Sequence, residues 1–299
     1  MKEKVIKEST IWQIIAHTVM IFGSLMALLP FILLVIASFT DNQTAIVNGY
    51  SFFPEKWSLE AYQYIAREWM TVGRAYLMTI IVTAIGTVVS LVLTSTFAFA
   101  VSNDRLPGHK LLMFLSIFTM LFNGGIVASY YVYSNIFHIK DTIFALIVPN
   151  LLMTPFNVVL VKNYYQNSIS PSILEAARID GASVFQVFKK IVIPLSVPIL
   201  ATIGLMTAIA YWNDWTNGLY FLTERNGGKL YTIQLVLNKI NENINFLSNN
   251  SELAAKAASL PSTTMRMAIA VVGVLPIIIA YPFFQKYFVK GITLGGVKE

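Results

Sequence analysis

The stretch "LEAARIDGASVFQVFKKIVIPLSVP" (174–198) decides how the rest of the chain is read. It places Glu175, Arg178, Asp180, Lys189 and Lys190 between two apolar runs of a chain otherwise poor in charge. Just upstream, Ser170-Pro171 has the form of a helix start. A capping serine precedes a proline at the first helical position, where its missing N–H is not needed. Ser172 and Glu175 offer a capping box in an alternative register. Gly181 can take the left-handed backbone that ends a helix. The spacing therefore predicts a short helix over 171–180 and a second over 182–193. Val184, Phe188 and Ile191 recur at helical spacing along the second, and Pro194 turns the chain into the next apolar run. Ala176 and Ala177 are small enough to allow close approach. On these residues alone, a docking hairpin and a solvated loop whose amphipathic helix lies on lipid stand equal.

The surroundings of the hairpin are those of a polytopic membrane protein. Of 299 residues, 56% are hydrophobic and 12% charged, with mean hydropathy +0.65; soluble domains carry about 25% charged residues. Apolar runs near the length of a bilayer core predict six crossing helices, at 18–39, 76–102, 111–133, 143–162, 193–213 and 264–285. The first follows a charged N-terminus and lacks a small-residue cleavage site, so it reads as a retained span. The third to sixth are interrupted by Asn123-Gly124-Gly125, by Pro149-Asn150 and Pro155, by Pro194 and Pro198, and by Pro276 and Pro282. The expected fold is all-α, one transmembrane domain over 1–299, with a hairpin loop at 164–198 and a long polar loop at 213–263 on the opposite face. The net charge of +6 and pI near 9.3 reflect Lys and Arg collected on cytoplasmic loops rather than nucleic-acid binding. Lys2, Lys4, Lys7, Arg105, Lys110, Lys162, Lys189, Lys190, Lys286 and Lys290 all fall on one side if both termini are cytoplasmic, and the hairpin falls there too.

Several chemistries are excluded or disfavoured. The chain has no cysteine, hence no disulfide or thiolate site. It has no phosphate-binding loop; "NGGKLYT" from Asn226 lacks the spacing and the hydroxyl residue after Lys229. His17, His109 and His138 lie near span ends without metal-ligand partners, and no metal site is expected. No span centre carries Asp or Glu, which argues against an ion-coupled carrier. No cluster of nucleophiles and acids suggests a membrane enzyme. The polar residues at membrane depth, Asn123, Asn150 and Asn157, are candidates either for helix–helix hydrogen bonds or for a polar translocation path. "YWNDWTN" (211–217) sets Trp212 and Trp215 beside Asn213. Aromatic faces with amide edges suit sugar rings, although Trp and Tyr also populate membrane interfaces.

Glu175-Ala176-Ala177, then Gly181, then Ile191-Val192-Ile193-Pro194 resembles the EAA loop of ABC importer permeases. "NIFHIKDTIFALIVPN" (135–150), "AYWNDWTNGLYFL" (210–222) and "YPFFQKYFVKGITLGGVKE" (281–299) are similar to sugar permeases of the maltose and complex-oligosaccharide type. Ile193 stands where that pattern often has leucine. The resemblance covers nearly the whole chain. It implies a type I importer permease in the cell membrane, importing a carbohydrate, with an oligosaccharide expected. The hairpin would be a coupling helix seated in a cleft of an ATPase subunit, with Glu175, Ala176, Ala177, Asp180, Gly181, Ile191 and Pro194 as its working residues. Read from residue type and depth, Asn123, Asn150, Asn157, Trp212, Asn213 and Trp215 are the candidates for the substrate path. The implied partners are a second homologous permease, two ATP-binding subunits, an external solute-binding protein, the sugar and the lipid. This chain would bind no cofactor, ATP and Mg being used by the ATPase, and would not be an enzyme. A permease for a peptide or amino acid would share the hairpin.

Overall fold

The computed structural model describes residues 2–249 and 262–294. They are helical, with no strand among them beyond one isolated bridge between Thr40 and Trp57. The all-α expectation holds. Two compact units comprise Met1–Trp69 with Lys239–Leu275, and Met70–Asn238 with Pro276–Glu299.

The first unit starts with α1 (Lys2–Ser38), whose apolar stretch Ile11–Ser38 is long enough to cross a bilayer and is exposed over most of its length, with Ala37 and Ser38 buried at its end. After it come α2 (Asn42–Asn48) and α3 (Glu60–Arg67). Phe39 stacks on Tyr62 at 4.7 Å, and Ser38 Oγ lies 2.8 Å from the Tyr62 hydroxyl. Lys56 pairs with Asp41 at 3.0 Å and holds its carboxyl below the usual range. Asn42 Oδ1 accepts from the backbone N–H groups of Thr263 and Thr264, capping the first turn of the final helix (Ser262–Leu294).

The second unit is organised on α4 (Trp69–Ser102), 34 residues without a break. Its buried face runs Ala75, Thr79, Val82, Gly86, Ser90, Thr94, Ala98 and Val101. Small residues at helical spacing let neighbours approach closely where lipid supplies no hydrophobic drive between helices. Next come α5 (His109–Leu121) and α6 (Gly125–Tyr131, continued as a π-helix to Ile136), bent by 119° at Asn123-Gly124.

The fourth expected span, 143–162, is not one helix. It divides into α7 (Phe144–Ile147) and α8 (Pro155–Ser168) around an irregular 148–154. Pro149 withholds an N–H group from the helical ladder there, and Pro155 starts α8 at its first position, where the N–H is not needed. The hairpin follows as α9 (Pro171–Ile179) and α10 (Val184–Val187, continued as a π-helix and a short α-turn to Leu195). Next are α11 (Val197–Asn213), α12 (Thr216–Phe221), α13 (Glu224–Gly227), α14 (Ile233–Asn249) and α15 (Ser262–Leu294). By length and composition alone, α1 and α4 qualify as spans, as do the bent pairs α5–α6 and α10–α11 if each is taken as one.

Pro194 does not turn the chain as expected. The helix runs through it and bends by 78° at Ser196. The π-turn Phe188–Val192, where Ile193 N bonds Phe188 O, widens the ladder just before the proline ring. Ser196 Oγ donates to Val192 O at 2.6 Å, which steadies the bend.

Candidate functional site

The hairpin is closed at its turn by backbone bonds alone. Gly181 has φ +79. Ala182 N donates to Ala177 O at 2.9 Å and Gly181 N to Arg178 O at 3.1 Å. This is the full Schellman pattern, possible because glycine has no Cβ to resist the left-handed backbone. The start of α9 departs from expectation. Ser170 makes no side-chain cap; its Oγ instead meets Ser172 Oγ at 2.7 Å, so neither the serine cap nor the Ser172–Glu175 box forms. Pro171 at the first position remains. The box forms one helix later. Ser183 Oγ accepts from Gln186 N, and Gln186 Oε1 accepts from Ser183 N at 2.8 Å. That Ser-x-x-Gln spacing was readable in the sequence and moves the start of α10 to Val184.

Packing sorts the hairpin into an inner and an outer surface. Val187 and Val192 are buried with Ala98, Val101, Val158, Val161 and Tyr165, and Leu174, Ala177 and Phe188 pack against them. The apolar stripe expected on α10 is thus displaced, since Val184 is 66% exposed while Val187 is buried. Glu175, Ala176, Asp180, Gly181 and Pro194 are exposed; Ala177 and Ile191 are half-buried. Ala177 therefore packs on the chain's own core. Around the exposed polar residues lie Ile173, Ile179, Val184 and Phe185, all uncovered. Gln166 Nε2 donates to Ser102 O at 3.2 Å, tying α8 to the end of α4. A cavity of about 350 Å³ there is lined by Asp104, Arg105, Glu175 and Arg178.

The candidate path residues separate into three places. Asn123 is exposed, and its Oδ1 accepts from Gly125 N at 2.8 Å, so it caps the α5–α6 bend. Asn150, with φ +62, is exposed at the break between α7 and α8. Asn157 is buried beyond that break, its Nδ2 3.3 Å from Thr207 Oγ1 on α11. Trp212, Asn213 and Trp215 lie at the α11–α12 turn. Trp212 is buried, with its ring 6.3 Å from that of Tyr76, while Asn213 and Trp215 are exposed. Two residues outside that set join the break to the turn. Tyr211 donates its hydroxyl to Ile147 O at 2.8 Å, and Asn217 Nδ2 donates to Pro149 O at 3.0 Å. Irregular backbone at membrane depth persists when protein groups satisfy it. Both residues belong to the "YWNDWTN" stretch, but nothing in its local pattern tells which side chain reaches back more than 60 residues. Asp214 Oδ1 accepts from Thr216 N and Asn217 N and starts α12; burial raises its carboxyl pKa, partly offset by those bonds.

A second clamp holds the loop beyond α12. Asp141, at φ +59, accepts from Thr223 N and from Thr223 Oγ1, and its own N–H donates to Phe221 O. Lys140 Nζ donates to the Tyr130 hydroxyl at 2.6 Å, which holds its ammonium pKa above the usual value. Asp141→Ala strands both Thr223 donors and puts a Cβ-bearing residue without a compensating side-chain bond at positive φ. The expected loss is about 2–4 kcal/mol of stability, read as a lowered unfolding midpoint of the purified protein. Asp141→Asn, which tolerates this backbone, loses less.

The sequence profile described as "Binding-protein-dependent transport system inner membrane component" matches residues 100–294. The polygalacturonan/rhamnogalacturonan transport system permease protein YtcP of Bacillus subtilis is 34% identical over 97% of this chain and 99% of its own. Protein LplC of the same organism is 34% identical over 91% of this chain and 89% of its own. Among solved structures, a chain of a bacterial ABC transporter involved in the import of the acidic polysaccharide alginate superposes with a TM-score of 0.76. It is 32% identical, covering 93% of this chain and 96% of that one.

Proposed function

The chain belongs to the family of binding-protein-dependent transport system inner membrane components, and from that premise we propose that it is the permease subunit of an ATP-driven importer of an oligosaccharide. The names of YtcP and of the alginate importer, both carbohydrate transporters, support the solute class. The observation that carries the coupling role is the hairpin. It is a short helix locked at its turn, with Glu175 and Asp180 exposed beside uncovered Ile173, Ile179 and Phe185. An apolar patch with a charged rim, on a rigid element, fits the cleft of a partner protein. Here Glu175, Ala176, Asp180 and Gly181 meet the ATPase, Ala177 and Ile191 hold the hairpin to the membrane helices, and Pro194 lies in the bent segment that leads into them. The assembly contains a second homologous permease, two ATP-binding subunits and an external solute-binding protein. ATP and Mg are used by the ATPase; this chain binds no cofactor and catalyses nothing. Asn150, Asn157, Trp212, Asn213 and Trp215 border the sugar path, and Asn123 shapes the helix bend beside it. Both termini are cytoplasmic, as the distribution of lysine and arginine supports.

Side-specific labelling tests this reading directly, because the chain contributes no background thiol. With Ile179→Cys, a membrane-impermeant maleimide leaves intact cells unlabelled and labels inverted vesicles; with Asn226→Cys the pattern reverses. Ile179→Cys labelled from outside intact cells overturns both the orientation and the coupling role. Reconstituted alone in liposomes, the chain neither hydrolyses ATP nor takes up sugar, and both activities require the ATPase and the second permease.

A further inference from the structure

At the end of α4 remote from the hairpin lies a second cavity of about 640 Å³. Arg74 comes from the start of α4, and Glu224, Arg225 and Asn226 from α13; Lys229 follows in the next turn and Tyr231 precedes α14. Three cations thus frame one concavity against a single carboxylate, and Arg74, Arg225 and Lys229 are all exposed. Arg74 and Ser102, which touches the hairpin cavity, stand about 40 Å apart along one unbroken helix, at roughly 1.5 Å per residue. The two cavities therefore lie at opposite membrane faces.

We infer that this basic cavity recognises the carboxylates of an acidic, uronate-containing oligosaccharide at the outer mouth of the permease. The inference rests on the importer reading above and narrows its substrate class. The volume falls in the range of small-ligand clefts, roughly 300–1,000 Å³, whereas a protein partner commonly meets a flatter patch. Guanidinium groups grip carboxylates through paired N–H donors, and lysine adds a point charge. A concave cluster of one sign also concentrates the field and raises the local abundance of an anionic ligand. The cavity is preorganised from behind. Thr223 Oγ1 accepts from Asn226 N at 3.4 Å, and Asp141 holds Thr223 in turn. A Cβ on Gly227 would stand 2.6 Å from Asp141 Oδ1, so the loop carrying Arg225 is seated tightly on that carboxylate. Neutral sugars gain nothing from these cations, so charge is the property selected here.

The test uses the assembled transporter in lipid nanodiscs, with trigalacturonate and its fully methyl-esterified, uncharged counterpart as probes. Trigalacturonate binds and the ester does not. The Arg225→Gln/Lys229→Gln double variant, and 0.5 M salt, each weaken binding at least tenfold; salt screening acts on exposed charges within about a Debye length. Glu224→Gln shifts affinity in the opposite direction, which a merely structural disturbance would not do. Uptake of trigalacturonate into proteoliposomes falls in step with binding. Equal binding of the ester, or unchanged trigalacturonate affinity in the double variant, overturns the inference. If affinity is unchanged while stimulation by the solute-binding protein is lost, the cations serve that protein's acidic face instead. Charge-dependent binding with no uptake of any carbohydrate leaves the cavity assignment standing and overturns the importer reading.

Discussion

Gly181→Val and Glu175→Lys each leave the chain inserted in the membrane but lower uptake at least tenfold and reduce the ATPase that co-purifies. The two act by different physical routes. At Gly181 an added Cβ meets nothing within 4 Å, so no clash is involved. The cost is the backbone, because φ +79 is a conformation that L side chains rarely adopt and β-branched valine least of all. About 1–2 kcal/mol is enough to open the two bonds that close α9 and to swing its exposed face off register. Gly181→Asn, which visits this backbone more readily, retains more activity. Glu175→Lys leaves the backbone untouched and reverses a charge on the exposed face. Its effect is confined to whatever that carboxylate meets. Lys239→Ala and Asn241→Ala, on α14, keep the full ATPase complement. Should both hairpin variants retain normal uptake and a full ATPase complement, the hairpin is a membrane-surface loop.

Gly86→Val is expected to prevent accumulation of folded protein altogether. A Cβ at Gly86 would lie 2.5–2.7 Å from three ring atoms of Tyr211. Tyr211 is 1% exposed, and its hydroxyl is committed to Ile147 O, so the ring has no free direction of retreat. Overpacking of this kind costs about 1–3 kcal/mol or more, and pushing the ring aside also strands the carbonyl before the α7–α8 break. Gly204→Ala is the contrast. There the nearest atom is Leu91 Cδ1 at 3.2 Å, the end of a flexible side chain, and little change is expected. Fluorescence-detected gel filtration of tagged variants separates the two. A monodisperse Gly86→Val protein with an unaltered unfolding midpoint would show that Tyr211 does not anchor the break.

The same residues mark how far local pattern carries. Gly181 and Pro171 were legible because their effects act within a single turn of chain. So was the apolar length of α1 and α4. Pro194 misled because its consequence depends on the π-turn before it, and no hydrophobic period distinguishes a π-turn from an α-turn. The fourth span misled because hydropathy averages over 148–154 while its backbone is held by Tyr211 and Asn217, 64 and 68 residues away. Asn42 caps a helix more than 220 residues later, and nothing in its local pattern points there. Asp141 sat in plain view in "HIKDTIF", yet its partner Thr223 is 82 residues on. Of the path candidates, Asn157 and Asn123 have hydrogen-bond partners that account for their polarity, while Asn150 stands exposed with a strained backbone.

The stripe along α4 has a mechanical consequence. Toward its middle the groups are Thr83, Thr87, Ser90 and Thr94, whose buried hydroxyls have no hydrogen-bond partner among the described residues. Gly86 and Ala98 flatten the same surface. The ring of Tyr211 is seated against this face at Gly86, and Ile233 N donates to Thr79 Oγ1 at 2.8 Å, so α4 is keyed to α11 and α14 at these two points. The bent pairs α5–α6 and α10–α11 are the jointed parts beside which this unbroken helix stays straight.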